Sequence, residues 1–88
     1  MCGICGIIRK DSCPVDPHKL LYMNNALVHR GPDSAGSFIS GPIGLAIRRL
    51  KIIDLETGDQ PIHNEDQSIW IVFNGEIYNF IELRAKLE

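Results

Sequence analysis

The order of apolar and polar residues along the chain predicts alternating strands and helices. The apolar run at residues 2–9 combines isoleucines with glycines, which is typical of a buried strand. Residues 36–40 and 43–48 are two further β-prone segments, and Gly41-Pro42 between them predicts a hairpin. The continuous run Ile69–Phe73, with its β-branched and aromatic side chains, predicts a central strand that is covered on both faces.

Two helices are predicted from the signals at their ends. Asp16 followed by Pro17 is typical of a helix start, as an N-cap and a proline at the first helical position. This helix is expected to end near residues 29–30, with Gly31 just beyond its C-cap. Asn79 and Glu82 form a capping-box pattern that predicts a second helix. Apolar residues at helical spacing support the first helix: Leu20, Met23, Leu27.

Together these elements predict an α+β fold. A length of 88 residues allows at most one small domain. The chain stops at Glu88 inside the second predicted helix, and the strand at Ile69–Phe73 requires more apolar cover than the other segments supply. We therefore expect the front part of a larger domain, truncated within a helix, or a truncated gene product.

Composition and charge exclude several classes of function. A formal net charge of −2, without a stripe of lysines or arginines, argues against nucleic acid as a partner. No apolar run is long enough to span a bilayer, so no membrane partner is expected. The start of the chain lacks the charged and long apolar regions of a signal peptide, which predicts a cytoplasmic location.

Three cysteines leave more than one chemical interpretation open. Their odd number argues against a closed disulfide framework. Cys2 and Cys5 form a C-x-x-C pair with Cys13 and His18 nearby, which is compatible with a zinc or redox module. No second ligand pair follows, and residues three apart on a strand point to opposite faces. We predict no metal site and keep the metal or redox module as an alternative.

Cys2 has a further property because it directly follows Met1. Removal of Met1 by a methionine aminopeptidase would leave a thiol and a free α-amine on the same residue. The thiolate is a strong nucleophile, and an α-amine with a pKa of about 7.7–8.0 can act as its general base. The alternative is an ordinary buried cysteine at the start of a strand.

Four motifs follow one another along the chain: Met1-Cys2-Gly3-Ile4, His29-Arg30-Gly31-Pro32-Asp33, Arg48-Arg49-Leu50-Lys51-Ile52-Ile53-Asp54 and Asn74-Gly75-Glu76-Ile77-Tyr78-Asn79. Together they resemble the N-terminal glutaminase domain of glutamine-hydrolysing asparagine synthetases, which are class II glutamine amidotransferases of the N-terminal-nucleophile hydrolases. The resemblance covers essentially the whole chain. It implies that residues 2–88 are the N-terminal portion of a type 2 glutamine amidotransferase domain and part of an αββα sandwich. Related sugar-phosphate and purine amidotransferases usually carry histidine where this chain has Phe73.

The resemblance implies glutamine as the substrate and assigns catalytic roles to three residues. Cys2 would attack the side-chain amide of glutamine, and its α-amine would carry the proton to the departing ammonia. The Asn74 side chain and the Gly75 backbone N–H would form the oxyanion hole. The alternative for Asn74-Gly75 is a plain turn between a strand and a helix.

Substrate-binding roles are also implied by the resemblance. Arg49 would clamp the substrate carboxylate, since a guanidinium can bind a carboxylate through two parallel hydrogen bonds. Glu76 would hold the substrate amino group; its alternative is an acidic residue that favours a helix N-terminus. Arg30, Gly31 and Asp33 would support the site, although Arg30 also suits a helix C-terminus. The remaining residues expected to line the glutamine pocket are Leu50, Lys51, Ile52 and Ile53.

Two departures from the family pattern limit what the chain can do. Many members of the resembled family have histidine where this chain has Ile47, so the resemblance does not carry over the usual polar support beside Arg49, although it keeps the Arg49 clamp. The resemblance also implies an aspartate that helps to hold the glutamine amino group and a synthetase domain that uses ATP and Mg, neither of which lies within these 88 residues. The glutaminase half-reaction itself requires no cofactor. The resemblance leaves homodimers open for the full-length family, and the alternatives remain an inactive or binding-only remnant or a different ammonia acceptor.

Overall fold

A three-stranded antiparallel sheet with one helix packed on it forms the largest part of the structure. The computed structural model describes residues 2–50, 60–75 and 78–88. The described residues have an α+β architecture, as the sequence predicts. The elements are β1 Gly3–Ile8, α1 Pro17–Asn25, β2 Ser34–Ser40, β3 Ile43–Arg49, β4 Ile62–His63, β5 Trp70–Ile71 and α2 Phe80–Leu87.

The strand order of the larger sheet is β1-β3-β2, so β3 lies in its centre. Gly3 of β1 pairs with Arg48, and Ser34 of β2 pairs with Arg49. The predicted hairpin is confirmed, because β2 and β3 pair directly across Gly41-Pro42. Gly41 has a φ of 53°, a left-handed conformation that glycine adopts without a steric penalty. The register brings the start of β1 beside the last residues of β3.

Helix α1 begins as predicted but ends earlier. The Asp16 side chain accepts a hydrogen bond from the His18 N–H at 2.9 Å, which confirms the N-cap. The helix ends at Asn25 rather than near residues 29–30. It is followed by turns that i→i+3 hydrogen bonds close, such as the bond from the Arg30 N–H to the Leu27 carbonyl. Gly31 is therefore not a helix C-cap glycine. Its role is set by close packing against β3.

The core of the described residues lies between α1 and the sheet. Val15, Leu20 and Ala46 form a buried cluster, and Ile47 of β3 is also fully buried. The prediction of a buried first strand is only partly right, because the exposure alternates along β1 and Ile8 is 78% exposed. One face of β1 packs on α1, whereas an apolar composition alone cannot say how many faces are covered.

The prediction of a central strand at Ile69–Phe73 is wrong. Only Trp70–Ile71 forms a strand, and it pairs with the equally short β4 in a separate two-stranded sheet. Ile69 and Ile71 are more than half exposed. The apolar run indicates a segment that can be buried, but the described residues provide one pairing strand and no second layer for it.

Helix α2 begins at Phe80, one residue after the predicted cap. Asn79 occupies the N-cap position, but its side chain makes no capping hydrogen bond, so only the position of the capping box is confirmed. No residue of α2 is buried. Neither described helix has both the length and the apolar content needed to cross a membrane.

Candidate active site

The carbonyl of Cys2 is the meeting point of three segments of the chain. Cys2 is half-buried and lies directly before β1. Its carbonyl oxygen accepts a hydrogen bond from Asn74 Nδ2 at 3.0 Å and another from Arg30 Nε at 3.2 Å. Asn74 is 72 positions away in the sequence. The structure thus brings Cys2, Arg30 and Asn74 together, although nothing in the local sequence pattern links them.

The turn that contains Arg30 is fixed to the end of β3. Arg48 Nε donates to the Gly31 carbonyl at 3.0 Å, and the Asp33 N–H donates to the Arg49 carbonyl at 3.0 Å. Gly31 is buried, and a side chain there would overlap the backbone of Arg48. The absence of a Cβ therefore lets the turn lie directly on β3, which places Arg49 beside the segment that carries Arg30.

The Asn74-Gly75 segment follows β5 and is exposed. The aromatic ring of Phe73 lies over Gly75, where a Cβ would be 2.9 Å from Phe73 Cζ. The Gln60 side chain binds the backbone N–H and carbonyl of Phe73 at 2.5 Å and 3.0 Å. The backbone bends at Gly75, and Phe73 before it is held by Gln60, a residue that the sequence did not single out.

The structure describes most, but not all, of the predicted site residues. Leu50 is half-buried directly after β3. Four of the predicted substrate-binding residues lie outside the described residues: Lys51, Ile52, Ile53 and Glu76.

Sequence reasoning missed Gln60 and Asn24. For Gln60 the only local signal was the turn-forming Pro61, and for Asn24 it was a polar residue on the apolar side of a helix. Asn24 is buried, and its Nδ2 donates to the Ile47 carbonyl at 3.2 Å. Ile47 is therefore a core residue whose backbone is tied to α1.

The three cysteines are free thiols in different surroundings. Cys2 and Cys5 are half-buried, whereas Cys13 is exposed. Burial raises the pKa of the Cys5 thiol, whose Sγ lies 4.0 Å from Asn24 Oδ1. In the part of the chain that the structure describes, no group of three or more His, Cys, Asp or Glu side chains could hold a metal ion. Among these cysteines, Cys2 is the one beside Asn74.

The sequence of this chain also matches known proteins. A family model described as a glutamine amidotransferase domain matches residues 1–88. The chain belongs to this glutamine amidotransferase family. The amidotransferase chain is 50% identical to asparagine synthetase [glutamine-hydrolyzing] 1 of Bacillus subtilis, over 100% of its own length. It is 47% identical to the second Bacillus subtilis enzyme of that name and 43% identical to asparagine synthetase [glutamine-hydrolyzing] 1 of Arabidopsis thaliana.

The matches cover nearly all of this chain but only a small part of each relative. The amidotransferase chain spans 14%, 12% and 15% of the lengths of the three relatives, respectively. No solved structure matches it. The relatives are named as glutamine-hydrolysing enzymes, and the family match falls on the segment that contains Cys2 and Asn74.

Proposed function

We propose that this chain carries the glutamine-hydrolysing half-reaction of an amidotransferase. The Cys2 thiolate attacks the side-chain amide carbon of glutamine, and the α-amine of Cys2 transfers the thiol proton to the departing ammonia. A thioester forms between Cys2 and the glutamyl group. Water then attacks the thioester, which releases glutamate and restores the thiol.

The hydrogen bond from Asn74 to the Cys2 carbonyl is the observation that carries this proposal. A tetrahedral intermediate on the Cys2 sulfur places its oxyanion close to the Cys2 residue, so its donors have to lie there as well. An asparagine NH₂ group has two N–H donors, and the bond of 3.0 Å to Cys2 uses one of them. The second can serve the oxyanion together with the backbone N–H of Gly75.

Arg30 supports the same site from a second segment of the chain. Its Nε also donates to the Cys2 carbonyl, so two side chains far apart in the sequence hold the backbone of the nucleophile. In our proposal Gly31 and Asp33 keep this turn on β3 through their bonds to Arg48 and Arg49. A fixed backbone at Cys2 limits where its thiol and amine can lie, which is the basis of a near-attack geometry.

Substrate recognition is proposed to involve the end of β3. Arg49 is half-buried at the last position of that strand, and its guanidinium suits the α-carboxylate of glutamine. The pocket would continue along Leu50, Lys51, Ile52 and Ile53, and Glu76 would bind the substrate amino group.

The ammonia acceptor is proposed from the relatives, which are named as asparagine synthetases. In the whole protein, ammonia would amidate aspartate in a synthetase domain that uses ATP and Mg. The proposal also includes assembly of the whole protein as a homodimer.

Glutamate release by the complete gene product tests the proposal. The wild-type protein is expected to release glutamate from glutamine, and Cys2→Ala is expected to abolish this release. Cys13→Ala is the matched control, because Cys13 is an exposed thiol on the loop after β1, where its N–H donates to Asp11 rather than to the proposed site. Intact mass gives the state of Met1. Release that survives Cys2→Ala would refute the mechanism.

A non-catalytic remnant is the second candidate, because the buried apolar cluster of the described residues is small. Helix α2 also leaves large apolar side chains exposed, including Phe80, Ile81 and Leu87. A gene product that carries an unblocked Cys2 but releases no glutamate would favour this candidate. An active protein that transfers ammonia to a sugar or cell-envelope precursor, but not to aspartate, would favour an amidotransferase with a different acceptor.

A further inference from the structure

Gln60 makes a two-point hydrogen bond to the backbone of Phe73, the residue before Asn74. Its Oε1 accepts from the Phe73 N–H at 2.5 Å, and its Nε2 donates to the Phe73 carbonyl at 3.0 Å. A primary amide can thus satisfy both polar backbone groups of one residue, as a neighbouring strand would. Two bonds restrain the direction of this backbone as well as its distance.

The backbone of Gln60 lies against β2 at Gly36. A Cβ on Gly36 would overlap the Gln60 carbonyl and would lie 3.1 Å from Pro61 Cδ. Gly36 pairs with Ile47 of β3, and β3 also pairs with β1, which begins directly after Cys2. A continuous set of contacts therefore connects the sheet that carries Cys2 to the residue before Asn74.

The segment around Asn74 requires such a restraint because strand pairing does not reach it. Strand β5 ends at Ile71, and its pairing with β4 covers only two residue pairs. An oxyanion donor has to lie about 2.7–3.1 Å from the developing charge. A displacement of about 1 Å in such a site can lower the rate about a hundredfold.

We infer that Gln60 is a positioning residue of the proposed glutaminase site. It holds the Phe73 backbone so that Asn74 lies beside Cys2, and the small size of Gly36 leaves room for Gln60 to do so. This inference rests on the proposed function, because it takes Asn74 as an oxyanion donor. Gln60 acts through Phe73 and Asn74.

Gln60→Met in the complete gene product is the direct test. Methionine keeps the length of the side chain and removes both hydrogen bonds to Phe73. The kcat for glutamine hydrolysis is expected to fall about tenfold to a hundredfold. KM is expected to change little, because the weakened interaction acts in the transition state. Gln67→Met is the matched control, since Gln67 forms its hydrogen bonds through its backbone: its carbonyl accepts from Trp70 Nε1 and its N–H donates to the Asn64 carbonyl.

A second variant approaches the same contact from β2. Gly36→Ala adds a methyl group that overlaps the Gln60 carbonyl, so it is expected to displace Gln60 and to lower kcat in the same direction. Gln60→Met decides the question if Gly36→Ala does not fold, because it introduces no clash.

Three further measurements separate positioning from general damage. Alkylation of Cys2 by iodoacetamide forms no oxyanion, so its rate, followed by peptide mass spectrometry, is expected to be unchanged in Gln60→Met. Hydrogen exchange of the Phe73 amide is expected to accelerate, because its acceptor has been removed. The NMR signals of the Asn74 side-chain NH₂ group are expected to shift. Gln67→Met should leave all three unchanged.

Each outcome decides the inference. An active wild-type protein whose kcat survives Gln60→Met would overturn it, and so would equal losses of kcat and of Cys2 alkylation, which indicate general unfolding. An inactive wild-type protein would refute the proposed function instead. The exchange rate at Phe73 and the Asn74 signals then decide about Gln60, and their constancy in Gln60→Met would overturn the positioning role.

Discussion

Asn24 is a buried polar side chain that connects α1 to the central strand. Its Nδ2 donates to the carbonyl of Ile47, and its Oδ1 lies 4.0 Å from the Cys5 thiol. A buried carbonyl that loses its donor keeps the full cost of its removal from water. Asn24 therefore stabilises this small core by donating a hydrogen bond to β3. The same bond fixes the rotation of α1 over the sheet.

Replacement of Asn24 should destabilise the fold. Asn24→Ala removes the buried hydrogen bond to the Ile47 carbonyl, and we expect a loss of about 0.5–1.5 kcal/mol in the free energy of unfolding. Urea denaturation followed by circular dichroism measures this loss. Asn25→Ala is the matched control, because Asn25 is exposed at the end of the same helix. Equal effects of the two substitutions would contradict the assigned role.

Asp11 is held by an exposed network directly after β1. Its carboxylate accepts two bonds from the Arg9 guanidinium, at 2.6 Å and 3.0 Å, and one from the Cys13 N–H at 3.1 Å. The Arg9 hydrogen bonds, followed by the Cys13 bond, lower the pKa of Asp11 to about 2. Because folding lowers the pKa of Asp11, its network stabilises the folded state fully at pH values above the ordinary pKa of aspartate. This stabilisation is lost as the pH falls through about 2.

Removal of the guanidinium should therefore raise the pKa of Asp11. In Arg9→Met we expect this pKa to move toward the ordinary value of about 3.9, without reaching it, since the Cys13 N–H remains. An NMR titration of the Asp11 carboxyl carbon measures the change. Lys10→Met, at the neighbouring exposed position, should leave the titration unchanged. An unaltered pKa in Arg9→Met would show that the pair does not persist in solution.

At the level of elements, an aromatic contact joins the two sheets. The rings of Phe38 in β2 and Trp70 in β5 are stacked, with centroids 3.9 Å apart and planes at 12°. The His63 ring lies 4.7 Å from Trp70 on the same small sheet. Because Phe73 follows this sheet closely, the stack also helps to place the segment that leads to Asn74.

Loss of the stacked ring should loosen this contact between sheets. Phe38→Leu is expected to remove about 0.5–1.5 kcal/mol of aromatic interaction. Trp70 is the single tryptophan of the chain, so its fluorescence reports the change directly as a shift to longer wavelength. Phe80→Leu, in the exposed helix α2, is the control. An unchanged emission spectrum in Phe38→Leu would exclude the stack.

The turn after α1 depends on its close approach to β3. A methyl group on Gly31 would overlap the Arg48 backbone, so Gly31→Ala should cost about 1–3 kcal/mol, as overpacking does. Chemical denaturation measures the loss. Gly41→Asn is a suitable control, because Gly41 has open space around it and asparagine tolerates its positive φ. If alanine at position 31 were as well tolerated as asparagine at 41, the packing argument would fail.

At the scale of the whole molecule, the described residues expose much apolar surface. Every residue of α2 is accessible, and Ile81 and Leu87 are 71% and 87% exposed. The chain also spans only 14% of its first Bacillus subtilis relative. Apolar patches of this kind favour contact with other protein surfaces.

A polypeptide of residues 1–88 should therefore self-associate through α2. Replacement of Ile81 and Leu87 by glutamine is expected to shift it toward the monomer in sedimentation velocity, with an unchanged circular dichroism spectrum. Tyr22→Gln is the control, because Tyr22 is equally accessible on α1 rather than on α2. Self-association that persists in the α2 variant would show that the associating surface lies outside α2.

Local interactions made several features predictable from sequence. The Asp16 cap and the hairpin at Gly41-Pro42 depend on residues that are close in the chain, so their patterns are visible there. The run Ile69–Phe73 was not predictable in this way. Its apolar composition indicates that the segment can be buried, but the number of its faces that are covered depends on segments far away in the chain.

The sequence by itself determined which chemical groups are present, where α1 begins, the β2–β3 hairpin, and the family to which the chain belongs. These properties follow from residue identity and from short-range backbone preferences. Only the tertiary structure decided that Asn74 and Arg30 meet at the Cys2 carbonyl, that Gly31 lies on β3, and that Gln60 holds Phe73. Such contacts join positions far apart in the chain, and they form only when strand pairing and core packing have fixed where each segment lies.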